Sequence, residues 1–139
     1  MTAYGSITLT DNQPCKYNQQ TQMWKCPAQT LITLTINGVQ VSYWAAALIN
    51  DTPAESAAAA AYGLATAINS TSSLVGVVAA GYSGNVVEIT GSQGSTNPAT
   101  LDLYPWSMSL SQQNGCNNGV CTFSASLAPL QTMGTRPPL

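Results

Sequence analysis

Apolar and polar residues alternate along most of this chain, and a helical spacing interrupts the alternation once. In "TLITLTI" (30–36), Ile32, Leu34 and Ile36 fall on one side and Thr33 and Thr35 on the other, the period-2 pattern of a strand with one buried face. Asn37-Gly38 follows, suited to a type I′ turn because both central residues of that turn need positive φ. "VQVSYWA" (39–45) is then the return strand, with Val39, Val41 and Tyr43 on one face and Gln40, Ser42 and Trp44 on the other. "YGSITLT" (4–10) predicts a first strand, and "SLVGVVAA" (73–80) and "NVVEITG" (85–91), joined by "GYSG", predict a second hairpin. "TLDLYPWSMSL" (100–110) contains Pro105 and is expected as an interrupted or edge strand. "VCTFSASL" (120–127) alternates again, with Cys121, Phe123, Ala125 and Leu127 sharing a face.

The interruption lies between the hairpins, in "INDTPAESAAAAAYGLATAIN" (49–69). Thr52 is a natural N-cap, Pro53 suits the first helical position, and Glu55 completes a capping box. Ala57, Ala61, Leu64, Ala65 and Ile68 recur at three- and four-residue spacing and form a narrow apolar stripe. Gly63 is either a weakness in this helix or a point of close backbone approach. The order of elements predicts an α+β fold: a mostly antiparallel sheet or partial sandwich with one crossing helix over about residues 53–69. Residues 1–129 read as a single extracellular-type module, and 130–139, ending in Pro137-Pro138, as an extended tail or linker.

Charge changes this picture most. Charged residues make up 6 % of the chain, against about 25 % in typical soluble domains. The surface is therefore built from Ser, Thr, Asn, Gln and Gly, and the net charge of -2 gives little mutual repulsion. That balance suits a protein packed in an assembly. The three cationic side chains are too few to bind nucleic acid. No run approaches the roughly 20 apolar residues of a membrane span. "MTAYGSITLT" shows no signal-peptide pattern, and Met1 is either a natural start or the beginning of an excised piece.

The four cysteines stand as two close pairs, Cys15 with Cys26 and Cys116 with Cys121. Their spacing does not match a zinc site, and no histidine is present. Two local disulfides are expected, since each pair brackets a turn-rich segment; the alternative is four reduced cysteines. Disulfides would imply an oxidising compartment.

Without histidine, Ser-His-Asp and Cys-His nucleophiles and imidazole metal sites are excluded. Among the carboxylates, Glu55 belongs to the helix cap, Glu88 to a solvated strand position, and Asp102 is the least accounted for. "GYSGN" and "GSQGS" lack the strand-to-helix setting of a phosphate loop. No cofactor, metal or catalytic residue is expected. Trp24, Trp44, Trp106 and Tyr104, with Tyr17 and Tyr82, are candidates for a flat glycan-binding platform. The plainer reading packs Tyr43 and Trp44 under the helix and sets Trp24 over the small disulfide. Asn50 and Asn69 match the glycosylation sequon, but both flank the helix, where capping explains them.

The order "GSITLT…C…CP…TLITLTINGVQVSY…TPAESAAAAAYGLATAINSTSSLVGVVAAGYSGNVVEITG" resembles a hairpin-helix-hairpin repeat module of large bacterial cell-surface proteins, beside the Rhs/YD-repeat regions of acidobacteria. Inserted modules of phage tail proteins are similar through the same part. The resemblance covers roughly residues 5 to 91 and implies a non-catalytic extracellular or virion module. The expected function is structural: an assembly or adhesion module of a filament, cell surface or virion, with self-association or neighbouring modules as partners. The alternative is a carbohydrate-binding module.

Overall fold

The computed structural model describes residues 2–94, 105–113, 115–116, 120–128 and 131–132. Its elements are β1 (Thr2–Asp11), β2 (Lys16–Asn18), β3 (Met23–Lys25), β4 (Thr30–Ile36), β5 (Val39–Ala45), α1 (Pro53–Asn69), β6 (Val78–Ser83), β7 (Val86–Gly94), β8 (Trp106–Gln112), β9 (Phe123–Leu127) and β10 (Gln131–Thr132). The fold is α+β, with antiparallel sheets and one helix, as the alternation predicts. One sheet runs β10-β1-β7-β6, with β9 beside β1; a second runs β5-β4-β8; β2 and β3 form a small hairpin apart from both.

The two large sheets and the helix share one core. Ile7 and Leu9 of β1, Val87 and Ile89 of β7, Ile32, Leu34 and Ile36 of β4, and Phe123 of β9 are all fully buried in it. The helix lies against β1, β5, β6 and β7. Its whole predicted stripe is buried, together with Ser56 and Ala60. The capping box forms: Thr52 accepts from the Glu55 N–H at 3.1 Å, and Glu55 accepts from the Thr52 N–H at 2.9 Å. Those same bonds hold the Glu55 carboxyl below its ordinary pKa.

Alanine lets the helix sit close, and at Gly63 the closeness is extreme. A Cβ there would overlap the hydroxyl and ring of Tyr43 on β5. Tyr43 therefore packs under the helix as expected. Trp44 does not: alternation turns it to the outer face, where it is 52 % exposed.

Turns follow their sequences. Asn37 and Gly38 have φ of 53° and 75°, the pair of positive values of a type I′ turn. The second hairpin differs from expectation at its start. Ser72–Leu74 form a turn of 3-10 helix and Gly76 has φ of 82°, so the strand begins at Val78. The turn drives Leu74 into the core and leaves Val75 exposed. The strand after Pro105 is the edge strand β8, paired with β4 alone within its sheet. Of the segment 130–139, Gln131 and Thr132 pair with Tyr4 and Ala3 of β1.

Both disulfides form locally, Cys15–Cys26 and Cys116–Cys121. A hydrogen-bond relay joins the sheets at one corner. The Phe123 N–H donates to the Thr30 hydroxyl at 3.0 Å, that hydroxyl donates to Gln112 Oε1 at 3.2 Å, and Gln112 Oε1 also accepts from the Thr122 N–H at 2.9 Å. Thr30 is fully buried.

Two stability predictions follow from these contacts. Thr30→Val keeps the shape but orphans the buried Phe123 N–H, and should cost about 1–3 kcal/mol in urea unfolding. Gly63→Ala gains about 1 kcal/mol of intrinsic helix propensity, yet should lower stability because Tyr43 occupies the space. In a Tyr43→Ala background the same substitution should raise stability, and a double-mutant cycle by urea unfolding reads the change of sign.

Candidate functional site

A strand at the end of a sheet shows one row of backbone donors and acceptors to whatever lies beside it. In β5 that row can be derived from the turn. A two-residue hairpin makes its flanking residues, Ile36 and Val39, a hydrogen-bonded pair. The register Leu34↔Val41, Ile32↔Tyr43 and Thr30↔Ala45 then aims the backbone groups of Val41, Tyr43 and Ala45 at β4. The N–H and C=O groups of Gln40, Ser42 and Trp44 point away from it. β5 ends its sheet, and these groups meet no other partner among the described residues. β5 carries no charge and no proline, the usual guards of an edge. The exposed Trp44 sits on this row, and the chain continues into the exposed Leu48 and Ile49.

Other strand margins are met in part by side chains. In β6, the register Ser83↔Val86 turns the backbone of Ala80 outward by the same alternation. There Asn69, the last residue of α1, takes both groups: its Nδ2 donates to the Ala80 carbonyl at 2.8 Å and its Oδ1 accepts from the Ala80 N–H at 2.9 Å. The Asn69 side chain is thus engaged in the fold. At the far end of the other sheet, β8 is tied at both ends to the segment bearing β9. The Trp106 indole N–H donates to the Ala128 carbonyl at 2.9 Å, and Gln112 holds Thr122.

The aromatic candidates are separated. Trp24 pairs with Tyr17 across β2 and β3, ring centroids 5.3 Å apart. Trp106 is half-buried against the core in a different sheet. Tyr82 meets Tyr62 of the helix edge-on at 5.3 Å. Tyr104 lies outside the described residues, as does Asp102.

One carboxylate stands out to which no sequence motif assigns a role. Asp11 is 7 % exposed and occupies the last inward position of β1, in the alternating row Ile7, Leu9, Asp11. Continuing that alternation by one step would have found it. Its Oδ1 accepts from the Gln13 N–H at 3.0 Å, and its Oδ2 has no hydrogen-bond partner among the described residues. Burial raises its pKa above the ordinary 3.8; the Gln13 N–H and, less strongly, the Ser56 hydroxyl pull it down. It lines an open groove of about 320 Å³ with Leu9, Pro53, Ala54 and Asn85, where the end of β1 meets the start of α1. No group of three or more His, Cys, Asp or Glu side chains able to hold a metal occurs among the described residues. Nor is any helix among them long and apolar enough to cross a membrane.

No protein-family model matches the chain, and no curated protein matches it.

Asp11 yields a pH prediction. Because its folded pKa is raised, the native state holds this proton more tightly than the unfolded chain, so stability falls as pH climbs from 3.8 through the folded value. Asp11→Asn keeps the acceptor for Gln13 and removes the buried charge. It should stabilise the protein by about 1 kcal/mol at pH 7, with the advantage vanishing below the ordinary carboxylate pKa. Thermal unfolding of both proteins across the acid range checks this.

Proposed function

We propose that this chain is a non-catalytic assembly or adhesion module that joins its neighbours by strand addition on β5. The unpaired backbone row of Gln40, Ser42 and Trp44 is the observation that carries the reading. An added strand would satisfy those groups, and Trp44 would supply apolar area at the same margin. The low charge supports it, since little repulsion opposes close packing of copies. Two disulfides fit an oxidising setting, and an extracellular filament, a cell surface or a virion is the place proposed for it. The resemblance to repeat modules of Rhs/YD-type surface proteins and phage tails points the same way.

A second reading, a carbohydrate-binding module, draws on the Tyr17–Trp24 pair, whose rings sit on a hairpin outside the main core. Trp24→Ala should then abolish retention on a polysaccharide column; unchanged retention removes this reading.

The edge is tested by Ser42→Pro. Its N–H points outward, so proline deletes a free donor and no bond to β4. The variant should keep the melting temperature of the parent within a few degrees and lose ordered assembly in light scattering and electron microscopy. A parent protein that stays monomeric at every concentration, alone and with neighbouring modules, would refute strand addition.

A further inference from the structure

Two of the chain's three cationic side chains, Lys16 and Lys25, are placed directly opposite each other on β2 and β3. Like charges in that position destabilise a strand pair. A chain with so few charges has every neutral alternative open to it, and the cost stands without visible compensation. Neither lysine makes an ion pair among the described residues. The disulfide Cys15–Cys26 flanks the pair on its outer side, with 4.1 Å between its Cα atoms. It closes the base of the hairpin and fixes the two lysine positions opposite each other.

Both lysines, exposed to solvent, line an open groove of about 460 Å³, together with Gln13, Pro14 and Pro27. Its chemistry is mixed in a particular way. The lysines supply donors and positive charge, the Gln13 side-chain amide is free of hydrogen bonds among the described residues, and the proline rings offer flat apolar surface. We infer that this groove binds a hydroxylated ring bearing one oxyanion, a sugar acid or a sulfated sugar. The anion sits between Lys16 and Lys25, where it turns their repulsion into a shared attraction. The Gln13 amide pairs with ring hydroxyls, and the C–H face of the ring lies on proline. The net charge of -2 gives no long-range pull on a polyanion, so capture is local and involves a single residue of the glycan. Tyr17 and Trp24 are on the opposite face of the same hairpin by alternation. The site therefore depends neither on them nor on the edge of β5.

The test uses the oxidised full chain, titrated at constant ionic strength and followed by amide chemical shifts. The probes are galacturonate, glucose 6-sulfate, galactose and inorganic sulfate. The carboxylated or the sulfated sugar, or both, should shift Gln13, Lys16 and Lys25, and the arms show which anion is preferred. Galactose should leave them in place, and sulfate should bind at least tenfold more weakly than the preferred sugar. Lys16→Gln/Lys25→Gln should weaken binding at least tenfold. Lys25→Glu should abolish binding while raising the melting temperature, because it replaces a repulsive pair by an attractive one. No response to either charged sugar, or an equal response in the double variant, overturns the site. Sulfate binding as tightly as the sugars overturns the saccharide assignment. Aggregation of the double variant without any anion response in the parent would assign the lysines to guarding the edges of a short hairpin, and would also overturn it.

Discussion

Backbone N–H and C=O groups that leave a strand ladder must find partners, and this chain has almost only neutral amides and hydroxyls to offer them. The structure is organised around that constraint. Asn69 takes the outward groups of Ala80. Asn85 exchanges bonds with Leu9, its Nδ2 donating to the Leu9 carbonyl and its carbonyl accepting from the Leu9 N–H. Asn12 donates to the Cys121 carbonyl, and Thr30 and Gln112 serve Phe123 and Thr122. Each such bond contributes only about 1 kcal/mol net, but leaving any of these groups dry and unpaired would cost more. The low charge of the chain and the closure of its sheets are thus connected: amides accept and donate at once, as a backbone margin requires, whereas a lysine or a carboxylate can do only one.

Two places depart from that economy. Asp11 carries a charge into a row of buried apolar residues and leaves one oxygen unpartnered. Lys16 and Lys25 stand opposite each other with no counter-ion among the described residues. In a protein with eight charged residues altogether, counting three basic and five acidic, neither follows from packing. The open row of β5 is a third departure, in backbone rather than side chain.

Local interactions were the legible ones. Asn37-Gly38 announced its turn because its two φ values are a property of the dipeptide, and Thr52, Pro53 and Glu55 announced the helix start for the same kind of reason. The cysteine pairs joined within their own loops. Where the outcome depended on residues far apart in sequence, the reading stopped short. Nothing in "WSMSLSQ" says that it pairs with β4 some eighty residues earlier, and nothing near Asn69 says that its amide will meet Ala80. Trp44 was misplaced by its bulk, which suggests burial, against an alternation that put it outside with Gln40 and Ser42. Gly76 shows a smaller failure of the same reading. The apolar run "SLVGVVAA" predicts an extended segment, and the positive φ of its glycine ends the extension. Of the candidate platform, only the pairing of Trp24 with Tyr17 is local enough to have been foreseen from a ten-residue loop.

The hairpin of β2 and β3 forms its own sheet, and its two ends are fastened to each other by Cys15–Cys26. Residues 16–25 are therefore insulated from the energetics of the sandwich. Substitutions inside the loop change what it presents without passing strain to the core, and the core can be altered without retuning the loop. Such a segment is free to change in sequence while the scaffold beneath stays constant. The same insulation makes residues 16–25 the natural position for grafting a foreign peptide onto this fold.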